Sequence, residues 1–165
     1  MRTLFLVRHA KSSWGNPGLR DFDRPLNDRG LNDAPKMAKL LADQGVIPDL
    51  LVSSPAKRAL TTALFFANTF NKTNDEIQKE PSIYEAAPGD ILRIISGLPE
   101  NAEMVILFGH NPTFTEVANI FTETDFIENV PTCGIVKISS TANSWREFYE
   151  GNAHIAACFF PKEVL

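Results

Sequence analysis

The stretch TLFLVRHAKSS, Thr3 to Ser13, runs five strand-like residues directly into an arginine and a histidine. Thr3 to Val7 has the unbroken apolar and β-branched character of a strand buried on both faces. Arg8 and His9 therefore leave the carboxyl end of that strand. In an open α/β sheet this is where ligands bind, so the fold turns on whether other strands end in the same way.

Two others do. Leu50 to Ser53 reads as a second buried strand, and SSPAKRALTTA follows it. Ser54-Pro55 supplies an N-cap and a proline at the first helical position, opening a helix to about Phe70. Ala59, Leu60, Ala63, Leu64 and Ala67 form its inward face, and Arg58 lies one turn in. Met104 to Phe108 is a third buried strand, turned by Gly109-His110-Asn111-Pro112 into a helix from about Thr113 to Phe121. Strand, polar turn and helix recur, which predicts an α/β fold with a mostly parallel sheet in a three-layer α/β/α sandwich.

The connecting segments fit this frame. Arg8 to Arg24 forms a long loop rich in Gly, Pro, Asn and Asp, a length that in compact proteins usually serves function. The first helix follows it, with Leu31, Ala34, Ala38 and Leu41 at helical spacing and Gly45 as its stop. A polar connection covers Asn71 to Lys79, a short extended piece surrounds Ser82 to Tyr84, and a helix opens at Pro88 and runs to Ser96. Gly134 to Ser139, Trp145 to Tyr149 and Ile155 to Phe160 read as strands, with an antiparallel strand at an edge of the sheet.

The length of 165 residues suits one domain over residues 1–165. No apolar run approaches the roughly 18 residues that a membrane span needs. Met1-Arg2-Thr3 leads into a strand and not into a signal-peptide pattern, so the expected location is the cytoplasm. Cys133 and Cys158 form no CxxC pair, consistent with a reducing compartment. A net charge of -4 argues against general nucleic-acid binding, because no basic stripe is present to displace counterions.

Arg8, His9, Arg58 and His110 thus converge on one rim of the predicted sheet, and together these residue types suit a phosphoryl group. A guanidinium presents a planar fork of donors and stays charged at physiological pH. A neutral imidazole whose other nitrogen is held by an acceptor can attack phosphorus. His9, on the first turn, is the candidate nucleophile; His110 is a donor that gains strength as equatorial charge develops.

Competing chemistries leave no comparable trace. Neither GxxxxGK[ST] nor GxGxxG occurs. A cysteine phosphatase needs an arginine six positions after its thiol, where Cys133 has Ser139. Asp21-Phe22-Asp23 has no apolar strand before it and reads as loop charges pairing with Arg20, Arg24 or Arg29. His9, His110 and His154 lack a carboxylate at useful spacing, so neither a metal nor another cofactor is expected, and His154 reads as a strand residue.

LVRHAKSSW, DFDRPLNDRG, SSPAKRALTTA, SIYEA and LFGHNP stand in the order and spacing of the histidine phosphatase superfamily. The chain resembles that family from about Thr3 to Ser139, most closely its short bacterial branch, the SixA-type phosphohistidine phosphatases. The resemblance implies a phosphoglycerate-mutase-like fold, phosphorylation of His9, and a phosphate pocket of Arg8, Arg58 and His110. It also brings Asn16 and Ser12 of the long loop toward the pocket. For Glu85 in SIYEA it leaves two roles, proton donor to the leaving group or carboxylate anchor for Arg8 or Arg58. Larger members insert a covering segment between the positions of Arg58 and His110, where this chain has a short connection. An open pocket suits a phosphorylated protein, such as a phosphotransfer domain carrying phosphohistidine. The alternatives are a small phosphomonoester and, from another class, phosphate binding without turnover.

Overall fold

The computed structural model describes residues 1–165. Strand β1 (Arg2–Arg8) lies near the middle of a six-stranded sheet, with β2 (Leu50–Ser53), β3 (Ile77–Lys79), β4 (Met104–Gly109), β5 (Ile135–Ser140) and β6 (Ala153–Phe159) in the order β3-β2-β4-β1-β5-β6. The first four of these positions, β3 to β1, pair in parallel. β5 runs antiparallel to β1 and β6 antiparallel to β5, so the antiparallel part of the sheet is a two-strand addition on one side.

Five helices accompany the sheet: α1 (Asp28–Asp43), α2 (Lys57–Thr69), α3 (Pro88–Ser96), α4 (Thr113–Ile120) and the short α5 (Pro161–Val164). Side chains alternate across a strand, and β1 divides its burial accordingly. Phe5 and Val7 pack with Phe108, Ala34, Met37, Ala38, Ala63 and Phe66 on the α1/α2 face. Leu4 and Leu6 pack with Leu107, Ile91, Ile95, Phe114 and Val117 on the α3/α4 face. These two clusters make the three-layer α/β/α arrangement.

Several local expectations are corrected. Leu31 is exposed and Met37 takes the buried position in α1, because the helix enters with Gly30 against the loop and its apolar stripe turns away from Leu31. α2 begins at Lys57 with Ala56 as its N-cap, later than Ser54-Pro55 suggested. Its fully buried face uses Phe66, while Leu60 and Leu64 are only partly covered. Ile77–Lys79, read as polar connection, adds a short edge strand anchored by Ile77. Both Pro81–Ile83 and Trp145–Glu147 are single 3-10 turns where extended chain was expected. Burial drives the second of these: Trp145 is fully enclosed and its indole N–H donates to the Ala102 carbonyl, an anchor that a solvent-facing strand would forfeit.

The long loop is fastened where it matters. Ser12 bridges to Leu26, Ser13 N donates to Pro25 O, and Asn27 N donates to Lys11 O. Asn27 caps α1 by accepting from Gly30 N. A Cβ on Gly30 would lie 2.2 Å from the Lys11 carbonyl oxygen, so α1 sits against the backbone just beyond His9 and only glycine admits the contact. Replacing Gly30 by Ala must therefore push α1 off that loop. The expected loss is about 1–3 kcal/mol of unfolding free energy, the usual range for overpacking, measured by urea denaturation; an unchanged midpoint would show that the loop yields freely.

Candidate active site

Strand order makes β2, β4 and β1 neighbours, so their carboxyl ends carry Ser54, His110 and His9 side by side. Backbone pairing continues past the strands. Ser54 N donates to Phe108 O and His9 N donates to Gly109 O. α2 is tied to the same corner through Thr62, whose hydroxyl accepts from Ala10 N and donates to Arg58 O. This link fixes the first turn of α2, and with it Arg58, relative to the residue after His9.

His9 is 7% exposed. Its Nδ1 lies 2.8 Å from the Ala10 carbonyl oxygen. A carbonyl only accepts, so Nδ1 carries the hydrogen and the lone pair resides on Nε2. His110 stands beside it, the ring centroids 5.3 Å apart, with its Nε2 2.8 Å from Ser54 Oγ. Tyr84 packs edge-on against the other side of His110, at 5.6 Å.

The arginines are held by acceptors at one end and free at the other. Arg8 Nη1 donates to Val130 O. Arg58 is 6% exposed; Nη1 donates to Asp21 O at 2.7 Å and Nη2 to Asp21 Oδ2 at 2.9 Å. Arg8 Nε, Arg58 Nε and His110 Nδ1 are buried and have no partner within the protein. Buried polar nitrogens are ordinarily paired, so three orphans at one rim mark a place for an external hydrogen-bonding group. Arg2 Nε is a fourth, but Arg2 lies at the opposite end of β1 and pairs with Glu100.

Charge and burial set the titration of this corner. Burial, helped by His110, Arg58 and Arg8, holds His9 down at about 3 against the pull of its Ala10 hydrogen bond. Burial and the Arg58 charge hold His110 at about 4. Burial and then Arg58 lower the pKa of Arg8, which places the two guanidiniums within reach of each other's field. Both imidazoles are thus neutral at pH 7, the state in which each ring keeps one nitrogen lone pair.

Nothing in the local sequence of Asp21 links it to Arg58. In the fold it accepts from Arg58, from Arg24 Nε and from the Tyr84 hydroxyl. Burial pushes its carboxyl up, but those three donors prevail and hold it at about 2. Asp23 pairs with Arg20, as expected of a loop charge. The carboxylate that anchors Arg58 is therefore Asp21 and not Glu85, which is exposed, sits at φ 58 and makes no hydrogen bond. Glu85 nevertheless follows Tyr84, and Thr113 holds the segment by donating to Ala86 O.

Ser12 and Asn16 have other partners. Ser12 Oγ, buried, accepts from Arg24 Nη1 at 2.7 Å. Asn16 is exposed and its side chain closes its own turn by accepting from Gly18 N. Trp14, 74% exposed, lies over the Arg24 guanidinium at 3.6 Å. His154 is an exposed residue of β6, and Cys133 is buried with its thiol pKa pushed up, far from thiolate chemistry. No cluster of three or more metal-ligating side chains occurs.

Residues 4–110 match the histidine phosphatase superfamily (branch 1). The chain belongs to that superfamily. It is 32% identical over 158 residues to an uncharacterized chloroplastic protein of Arabidopsis thaliana, covering 90% of this chain and 71% of the other. Among solved structures it is similar to SixA from Agrobacterium tumefaciens, provisionally named a phosphohistidine phosphatase, with a TM-score of 0.81 and 29% identity over 96% of this chain and 97% of that one. A protein histidine phosphatase SixA complexed with tungstate shares the fold, with a TM-score of 0.81 at 20% identity over 98% of each chain. The phosphoglycerate-mutase-like architecture expected of a histidine phosphatase is thus present. No helix is long and apolar enough to cross a membrane.

The depressed histidines make folding sensitive to acid. An unfolded histidine titrates near 6.5, whereas His9 and His110 titrate at about 3 and about 4 when folded. Between roughly pH 6.5 and 4 the unfolded chain binds more protons, so stability rises with pH and is lost on acidification. Asp21 contributes its stabilisation throughout this window and loses it only at lower pH, since its carboxyl is held at about 2. The urea midpoint should fall steadily from pH 7 to pH 4.5, and less steeply in His110→Asn; a flat wild-type profile would contradict the buried, neutral state of both rings.

Proposed function

We propose that residues 1–165 act as one histidine phosphatase domain that hydrolyses protein phosphohistidine through phosphorylation of His9. One observation carries the reading: the unpartnered Nε–H groups of Arg8 and Arg58 and the unpartnered Nδ1 of His110 belong to the same rim as an imidazole whose tautomer leaves Nε2 free. The donors suit the equatorial oxygens of a phosphoryl group, and stabilising that charge is the main source of catalysis in phosphoryl transfer.

In the first step the Nε2 lone pair of His9 forms a bond to phosphorus, and the bond from phosphorus to the substrate nitrogen breaks, its electron pair leaving with the nitrogen. That nitrogen takes up a proton. We assign this role to Glu85, the carboxyl beside Tyr84 that the protein does not tie to an arginine, whereas Asp21 is committed to Arg58 and Arg24. In the second step water attacks phosphorus and loses a proton, the N–P bond returns its pair to Nε2, and inorganic phosphate departs.

The choice of protein phosphohistidine as substrate draws on the SixA likeness, which extends over nearly the full length of both chains. It is also supported by the course of the chain between Arg58 and His110. α2, β3, the turn at Pro81–Ile83 and α3 occupy that interval, and Ile83, Ile91 and Ile95 pack into the core. An imidazole leaving group needs less help from an acid than an alkoxide does, and Glu85 is exposed with no hydrogen bond to aim it.

Incubation with a histidine-phosphorylated phosphotransfer domain, quenched in alkali, should trap an acid-labile phosphoryl group on the wild type and none on His9→Ala; its persistence in the variant would exclude His9 as nucleophile. Turnover of the same phosphoprotein should exceed that of sugar phosphates at equal concentration by at least tenfold in kcat/KM. Faster hydrolysis of the sugar phosphates would assign the site to small phosphomonoesters, and phosphate binding with no turnover of either would make it a binding module.

A further inference from the structure

We infer that Ser54 is a positioning residue for catalysis: its hydroxyl donates to His110 Nε2 and thereby fixes the tautomer in which His110 Nδ1 carries a hydrogen directed at the phosphoryl group. The inference rests on the phosphatase reading above for its functional consequence, although the tautomer itself does not.

The argument is an accounting of one proton. Ser54 is fully buried, so its hydroxyl hydrogen must find an acceptor within the protein. Ser54 Oγ has two partners. One is Ala56 N at 3.2 Å, a donor, which uses a lone pair of the oxygen and cannot receive its hydrogen. The other is His110 Nε2 at 2.8 Å. The Ser54 carbonyl does not compete, since it accepts from the Ser53 hydroxyl instead. His110 Nε2 is therefore the acceptor, and in a neutral ring that leaves the hydrogen on Nδ1.

The opposite tautomer fails at both ends of the ring. With a hydrogen on Nε2, the Ser54 hydroxyl would be a buried donor with no acceptor, a loss that exceeds the value of an ordinary hydrogen bond. Nδ1, buried and without a protein partner, would then turn a lone pair toward an incoming anion. With the hydrogen on Nδ1, both penalties vanish once a phosphoryl oxygen is bound. His9 and His110 thus share a device with opposite settings. The Ala10 carbonyl puts a hydrogen on His9 Nδ1 and frees Nε2 to attack, while the Ser54 hydroxyl occupies His110 Nε2 and turns a donor to the substrate.

Long-range proton–nitrogen correlation spectra of the 15N-labelled protein at pH 7 read the tautomer directly. The His110 ring should show a protonated Nδ1 and an unprotonated Nε2 in the wild type and in Ser54→Thr, and a shift toward protonated Nε2 in Ser54→Ala. With p-nitrophenyl phosphate as probe, Ser54→Ala should lower kcat about tenfold, the value of one hydrogen bond, and Ser54→Thr should recover most of it. In a His110→Ala background the Ser54→Ala change should cost nothing further, because its effect passes through that ring. A protonated Nε2 in the wild type would overturn the inference, as would an equal loss in the His110→Ala background. If Ser54→Ala does not fold, the wild-type spectrum and the Ser54→Thr kinetics decide. A wild type that shows the Nδ1–H tautomer but hydrolyses nothing would instead refute the phosphatase reading and leave the tautomer standing.

Discussion

A buried guanidinium, Arg58, and a half-buried one, Arg8, repel at close range, and each resists leaving water. Arg8 registers this directly, its pKa lowered first by burial and then by Arg58. The site is tenable because each arginine is tethered by acceptors that demand no change in the fold's core. Arg8 uses the Val130 carbonyl, and Arg58 uses both the backbone oxygen and the carboxylate of Asp21. Asp21 in turn collects Arg24 and the Tyr84 hydroxyl, so one ionised carboxyl organises the loop after β1, the first turn of α2 and the wall beside His110. That tethering occupies both terminal nitrogens of Arg58 and Nη1 of Arg8, and the Nε of each is unpaired.

The sheet sets the spacing. Adjacent strands lie about 4.8 Å apart, so Ser54, His110 and His9 on three neighbouring strand ends span about 10 Å. Two imidazoles fit side by side in that width, with their rings 5.3 Å apart. Little freedom remains for either ring, because His9 is braced by Ala10 and His110 by Ser54 and Tyr84. The cores on the two faces hold the strands themselves. Phe5 and Val7 face α1 and α2, Leu4 and Leu6 face α3 and α4, and the polar residues appear only where the apolar alternation stops.

Much of this is legible in the sequence alone. The continuous apolar runs at Thr3 to Val7 and Met104 to Phe108 announced strands buried on both faces, and the polar residues after them announced the rim. What escaped was of two kinds. Short elements such as Ile77–Lys79 carry a single buried anchor, too little for a periodic signal, and the Trp145 segment has strand composition but turns to enclose its indole. Pairings between distant segments were also invisible. Asp21 looked like a partner for nearby arginines, and Arg24 is one, yet its bond to Arg58 crosses 37 positions. Thr62 likewise read as a helix residue when it is the bolt between α2 and the end of β1.

The sequence by itself determined which chemistry is possible, because residue identity fixes charge, nucleophilicity and hydrogen-bond capacity, and because hydrophobic periodicity places Arg8, His9, Arg58 and His110 at strand ends and a helix start. Only the tertiary structure decided how those groups are set. A tautomer depends on what stands opposite a ring nitrogen, a pKa on how much water has been removed, and an arginine's free edge on which of its nitrogens are already taken. Ala10, Ser54 and Asp21 settle these matters by proximity, and proximity across strands and loops is a property of the folded chain that local sequence does not encode.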